Sequence, residues 1–80
     1  MSRKPSAAAA HIGVRIADVR KSKDWTQERL TVESGIDAAT IRSYENGRAM
    51  MGIPTLIKLA EALDTPPGYF LEDVTRDMLP

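Results

Sequence analysis

Side chains capable of covalent or metal chemistry are scarce in this chain of 80 residues. It contains no Cys and one His, which excludes thiol nucleophiles, disulfides and any site built from several histidines of one chain. His11 lies in an Ala-rich segment without an adjacent partner, which favours an exposed bystander over a catalytic base. We therefore expect no enzymatic activity, no cofactor and no metal.

The remaining chemistry is hydrogen bonding by polar and cationic side chains between residues 26 and 48. Gln27 stands in the first turn of a predicted helix, Arg42 lies within another, and Asn46 and Arg48 follow the latter. Guanidinium and amide groups bind anions and polar edges rather than transform a substrate. The pattern therefore favours a binding protein over an enzyme.

Charge is distributed unevenly along the chain although the formal net charge is zero. Residues 1–25 carry +4, residues 26–63 carry −1 and residues 64–80 carry −3. Such asymmetry can orient a protein on a polyanion, whereas a uniformly neutral chain would argue against one. Simple solvation with self-neutralisation is the alternative interpretation of the same pattern.

Apolar residues recur at helical spacing, and no stretch alternates with the period of a strand. Ile12, Ile16 and Val19 mark a first helix that closes at residues 21–24, and Leu56, Leu59, Ala60 and Leu63 mark a fourth. A short fifth helix follows the Pro66-Pro67-Gly68 break. These spacings predict an all-α fold, a compact bundle of about five short helices.

The informative spacing lies between Thr26 and Glu45. Thr26 is a good N-cap for the second helix, Gly35 ends it, and Asp37 caps a third helix that stops at Asn46-Gly47. Helix, short turn and helix within about 20 residues form a helix-turn-helix, in which the second helix can enter the major groove of DNA. Residues 11–71 are the predicted domain, 1–10 a flexible leader and 72–80 a C-terminal tail.

A longer set of motifs extends this pattern over about three quarters of the chain: Ile12-Gly13, Arg20, Thr26-Gln27-Glu28-Arg29-Leu30, Ser34-Gly35-Ile36, Thr40-Ile41, Tyr44-Glu45-Asn46-Gly47 and Leu56 to Leu63. The combination resembles the XRE or Cro/CI-type helix-turn-helix family, which includes lambdoid phage repressors. The resemblance implies a lambda repressor-like DNA-binding domain acting as a transcriptional regulator. It implies double-stranded operator DNA as the partner and insertion of the helix at about 37–46 into the major groove.

The resemblance assigns roles to matching positions. Base contacts fall to Ala38, Ala39, Arg42 and Ser43, of which only Arg42 can bind guanine with two parallel hydrogen bonds. Arg42 can equally hold a phosphate, and the alanines can contact thymine methyls. The phosphate contacts implied or expected on charge are Gln27, Thr40, Asn46, Arg48 and Arg15, with Arg3 and Lys4 as weaker candidates.

Arg20 receives a structural role instead. The arginine at this family position pairs with the glutamate of the third helix, which is Glu45 here. A guanidinium forked onto that carboxylate would tie the first helix to the third.

A homodimer is expected on two grounds. One recognition helix covers about half of an operator, and two-fold symmetry supplies the other half. Apolar residues near the C-terminus also exceed what a small core needs; the dimer candidates are Tyr69, Phe70, Leu71 and Val74. The alternative is that Tyr69 and Phe70 only cap the core.

The competing function is an antitoxin or a protein-interaction module, in which the same fold holds a partner protein.

The longest purely apolar run, residues 7–10, is far shorter than a membrane span, and no secretory signal follows the basic residues at the N-terminus. Together with the family resemblance, which implies a bacterial or phage-encoded regulator, these absences lead us to expect a cytoplasmic protein with no membrane association.

Overall fold

The computed structural model describes residues 6–80, which form five α-helices and one 3-10 turn. Helix α1 spans Ala7–Ser22, α2 Gln27–Ser34, α3 Ala38–Glu45, α4 Ile53–Ala62 and α5 Pro67–Leu71, and the 3-10 turn spans Arg76–Met78. Residues 6–80 contain no strand. The all-α architecture with five helices is confirmed.

Short polar side chains start the first three helices, because their oxygens satisfy amides that the first turn leaves free. Ser6 accepts from the backbone of Ala9 at 3.0 Å, Thr26 caps α2, and Asp37 caps α3. Gly35 ends α2 in the left-handed region at φ 77°. The N-caps Thr26 and Asp37, predicted from sequence, are confirmed, so local chemistry fixes the helix-turn-helix boundaries.

Helix α1 begins earlier than predicted. Residues 7–10 add a full turn, and Ala8 and Ala9 are buried. The loop after α3 covers this turn: a Cβ placed on Gly47 would lie 2.8 Å from the Cα of Ala10. The predicted flexible leader is therefore wrong for residues 6–10, because small alanines allow this close packing. Residues 1–5 of the leader lie outside the described residues.

The core fills the space between α1, α2, α3 and α4, and α5 closes it. Its largest fully buried side chains are Ile16, Leu30, Ile41, Leu59, Leu63 and Phe70. Helix α1 packs on α3 and α5, and α2 packs on α3 and α4. Among residues 6–80, no helix is both long enough and apolar enough to cross a bilayer.

The α1–α3 crossing is unusually close at Gly13. A Cβ on Gly13 would stand 2.0 Å from the carbonyl oxygen of Tyr44. Only a residue without a side chain fits there, so Gly13 sets how deeply α3 is seated on α1. This crossing positions the third helix.

Candidate nucleic-acid interface

Helix α3 has one face held by the protein and one face turned to solvent. Ile41 is 1% exposed and belongs to the core, while Ala39 and Arg42 are exposed. Ala38 and Ser43 are half-buried. The outer face of α3 therefore combines small side chains with the one long cationic side chain of Arg42. Because the other side chains are small, this face can approach a groove closely without steric hindrance.

An ion pair between Arg20 and Glu45 locks the end of α3 to α1. Nε of Arg20 donates to Oε2 of Glu45 at 2.7 Å, and Nη2 donates to Oε1 at 2.9 Å. Both side chains are at least nine-tenths buried. Nη1 donates to the carbonyl oxygen of Trp25 at 2.7 Å, which also fixes the α1–α2 turn.

These contacts keep Arg20 charged. Its hydrogen bonds to the Glu45 carboxylate raise the pKa of Arg20 above its usual value, against the opposing effect of burial. A guanidinium that satisfies a carboxylate and a carbonyl oxygen has little left to offer a phosphate. Arg20 therefore has the structural role expected of it from the sequence.

Gln27 has a partner that sequence reasoning did not anticipate. Its Nε2 donates to Oε1 of Glu45 at 2.9 Å, so that oxygen is shared with Arg20. The two residues are 18 positions apart, and no local signal in the sequence pairs them. The contact holds the Gln27 amide at the end of α3. The expected phosphate contact stays a prediction, and the second N–H of the amide is the donor available for it.

Asn46 and Arg48 follow α3 and are both exposed. Gly47 between them adopts φ 72°, and the backbone N–H of Arg48 donates to the carbonyl oxygen of Ser43 at 2.9 Å. Since Gln27 touches Glu45, which precedes Asn46, polar groups from the start of α2 and the end of α3 meet at one end of α3. Their phosphate roles stay predictions.

The Thr40 hydroxyl is engaged in the cap of its own helix. Its Oγ1 donates to Oδ1 of Asp37 at 2.7 Å, and its backbone N–H donates to Oδ2 at 3.1 Å. The Thr40 donors are thus consumed in the N-cap of α3. The phosphate contact expected of Thr40 stays a prediction.

Arg15, also expected to contact a phosphate, is engaged by the C-terminal tail, and its phosphate role stays a prediction. Its guanidinium donates to the carbonyl oxygen of Tyr69 at 3.0 Å and contacts the carboxylates of Glu72 at 3.4 Å and Asp73 at 3.2 Å. It also stacks over the Tyr69 ring, 4.9 Å from the centroid. The charge of Arg15 is thus neutralised by the tail. Arg3 and Lys4 lie outside the described residues.

The four dimer candidates differ in how far they are exposed. Phe70 is fully buried, in a T-shaped contact with the Tyr69 ring, so it has no exposed surface to offer a second copy. Val74 is half-buried against the core. Tyr69 and Leu71 are 37% and 40% exposed, so they stay candidates for a contact with a second copy.

Acidic and histidine side chains do not assemble into a metal site in the part of the chain that the structure describes. No group of three or more His, Asp or Glu residues there has the geometry to hold an ion. The two acids of α3 and its cap are engaged within the protein instead. Glu45 accepts hydrogen bonds from Arg20 and Gln27, and Asp37 accepts one from Thr40.

Comparison with known proteins identifies the family. The helix-turn-helix family model matches residues 16–70. The HTH-type transcriptional regulator y4wC of Sinorhizobium fredii is 35% identical over 71 residues, covering 89% of this chain and 50% of that protein. The CTXphi transcriptional repressor RstR of Vibrio cholerae is 34% identical over 50 residues, covering 62% of this chain and 45% of RstR. The chain spans about half the length of these curated relatives.

A solved structure shares the same architecture. The restriction-modification controller protein C.AhdI of Aeromonas hydrophila superposes with a TM-score of 0.77 and 31% identity, covering 80% of this chain and 97% of C.AhdI. The region that the family model matches, residues 16–70, contains α2, α3 and the Arg20–Glu45 pair that joins α3 to α1. The chain therefore belongs to the helix-turn-helix family of XRE type, as its motifs indicated.

Proposed function

We propose that this chain is a sequence-specific, double-stranded DNA-binding transcriptional regulator. It acts as a dimeric repressor that inserts α3 into the major groove, and it works in the cytoplasm, where bacterial and phage operators are found. Its specificity depends on Arg42 together with the close approach that Ala38, Ala39 and Ser43 permit.

The observation that carries the proposal is the way α3 is mounted. Its inner face is seated on α1 at Gly13, and its end is fixed by the Arg20–Glu45 pair. The outer face is left with Ala39 and Arg42 exposed to solvent. A rigidly held helix with a small-residue face and one guanidinium suits a groove about 12 Å wide.

The relatives support the regulatory role. RstR is named as a transcriptional repressor and C.AhdI as a restriction-modification controller, and both are more than 30% identical to this chain over the aligned residues. For this chain, we propose regulation of transcription by occupation of an operator.

The experiment is selection of bound duplexes from a random pool. We expect enrichment of a two-fold symmetric site whose half-sites lie about 34–36 Å apart, because each copy of the chain presents one α3. Failure to enrich any sequence from the pool would overturn the proposal and favour a protein partner instead.

A further inference from the structure

Two side chains of opposite charge stand along the exposed side of α3. Within residues 35–44 the only charged residues are Asp37, which caps α3, and Arg42, five positions further along the chain. Both are exposed. Ala38 and Ala39, which follow the cap, have no polar side-chain atom. The amino end of α3 therefore has one charged side chain, and that side chain accepts hydrogen bonds.

The carboxylate of Asp37 is held in a fixed orientation by Thr40. Oδ2 of Asp37 accepts from the backbone N–H of Thr40 at 3.1 Å, and Oδ1 accepts from the Thr40 hydroxyl at 2.7 Å. A carboxylate has about four lone-pair sites, so each oxygen retains the capacity for a second hydrogen bond. Hydrogen bonds from the Thr40 side chain and backbone also hold the pKa of Asp37 below its usual value, so this acceptor is ionised at neutral pH.

The turn that precedes α3 leaves space for a ligand beside Asp37. Gly35 is exposed, and a Cβ built on it would meet no atom within 4 Å. In helix-turn-helix proteins the amino-terminal residues of the recognition helix contact base edges. A carboxylate is repelled by phosphates, so its favourable partner on DNA is a hydrogen-bond donor on a base edge.

The donors in the major groove are the exocyclic amino groups of cytosine and adenine. The amino group of adenine lies between two acceptors, its own N7 and O4 of the paired thymine. The amino group of cytosine has an acceptor on one side only, O6 of the paired guanine. Because a carboxylate is repelled by each acceptor that it faces, N4 of cytosine is its better partner.

We propose that Asp37 selects a cytosine in each half-site by accepting a hydrogen bond from the N4 amino group of that base. The inference rests on the proposed function, and it adds an acceptor to Arg42, whose guanidinium binds bases that present acceptors, guanine above all. Five residues of helix rise by about 7.5 Å, and one base step is about 3.4 Å. The cytosine should therefore lie within about three base pairs of the base that Arg42 contacts.

The variant Asp37→Asn tests the proposal without removing the cap, because Asn and Asp are similarly good N-caps. The amide keeps one oxygen for the backbone N–H of Thr40 and has an NH₂ donor in place of the second oxygen. Cytosine and thymine present opposite groups at the same place in the groove, the N4 amino group and O4. Exchange of an acceptor for a donor should therefore reduce the preference for cytosine over thymine at least about fivefold.

Duplex selection from one random pool compares the unmodified protein, Asp37→Asn and the control Arg42→Ala, and affinities are then measured for the C·G and T·A versions of the selected site. We expect the unmodified protein to select cytosine at one position of each half-site, Asp37→Asn to lose that preference, and Arg42→Ala to keep it.

Two results would overturn the proposal and leave the proposed function intact. One is selection of the same bases by the unmodified protein and by Asp37→Asn. The other is a change confined to positions at which the unmodified protein prefers a base other than cytosine. Failure of the unmodified protein to enrich any sequence would overturn both the assignment of Asp37 and the proposed function.

Discussion

The carboxylate of Glu45 joins side chains from three helices. Arg20 from α1 and Gln27 from α2 both donate to it, while Glu45 itself is the last residue of α3. A buried carboxylate without its cation would lose far more than a solvent-exposed pair, since water cannot replace the guanidinium. This one group therefore supports both the stability of the domain and the placement of the Gln27 amide.

Replacing Arg20 with Ala should reduce the free energy of unfolding by about 3–5 kcal/mol, because it leaves the Glu45 charge buried and unpaired. The matched control is Arg29→Ala, which removes an exposed pair to Glu33 at 2.9 Å and should cost less than about 1 kcal/mol. Urea unfolding followed by circular dichroism measures both. Equal losses for the two variants would contradict the role assigned to the buried pair.

Arg42 and Arg48 should differ in how they affect DNA binding. Arg42→Ala should relax discrimination at one base pair by about 1–3 kcal/mol, because it removes a bidentate contact to a base. Arg48→Ala should weaken binding evenly across sequences and reduce the salt slope of the dimer by about 2, because each copy loses one phosphate contact. Affinities for the selected duplex and its single-base variants separate these outcomes. A uniform loss from Arg42→Ala would reassign that side chain to a phosphate.

Asp37 should make the stability of α3 sensitive to acid. Hydrogen bonds from the Thr40 side chain and backbone hold the pKa of Asp37 below its usual value of 3.8. Because the folded pKa is lowered, the stabilisation is fully present above the unfolded value and is lost as the pH falls through the folded one. Asp37→Asn keeps a capping oxygen that does not titrate, so its unfolding midpoint should fall less steeply between pH 5 and 2. If the unfolding midpoint fell equally steeply with pH in the unmodified protein and in Asp37→Asn, the Asp37 cap would not be the source of the acid sensitivity.

At the scale of elements, the α1–α3 crossing fixes the geometry of the helix-turn-helix. Gly13 permits the close approach to Tyr44, and the turn at residues 7–10 packs under the loop that follows α3. Helix α1 therefore supports the carboxyl end of α3 and the loop that follows it at several points. A substitution that separates α1 from α3 should therefore disturb the position of the whole helix-turn-helix.

Gly13→Ala tests this crossing. Alanine is the better helix former by about 1 kcal/mol, yet its Cβ would meet the Tyr44 carbonyl oxygen, and overpacking typically costs about 1–3 kcal/mol. We expect a net loss of stability. Gly68→Ala, a helical glycine with open space around its would-be Cβ, should be neutral or stabilising. Thermal midpoints measure both, and a stabilised Gly13→Ala variant would show that the crossing tolerates a side chain.

The sequence alone predicts the helix ends well because their causes are local. Thr26, Asp37 and Gly35 act within one turn of themselves, and the structure places each where that chemistry requires. The start of α1 could not be predicted in this way, since the burial of Ala8 and Ala9 accompanies packing against a loop some 40 residues away. The Gln27–Glu45 contact and the capture of Arg15 by the tail likewise depend on the assembled fold.

For the whole molecule, the two charged ends meet each other. The basic first helix and the acidic tail are joined at Arg15, Glu72 and Asp73, so part of the positive charge is neutralised before any polyanion arrives. The formal net charge is zero by composition, and this pairing further lowers the positive charge that α1 can present to a polyanion. Few cations are left for phosphates, and binding should depend on groove fit and on two half-sites more than on charge.

The salt dependence of affinity for the selected duplex tests the central claim, that α3 holds operator DNA in its major groove. We expect a log–log slope between about −2 and −4 for a dimer, which corresponds to one or two cations per copy. The selected duplex should bind at least about 10³-fold more tightly than a scrambled one. A slope near zero, or equal affinity for the two duplexes, would contradict the claim.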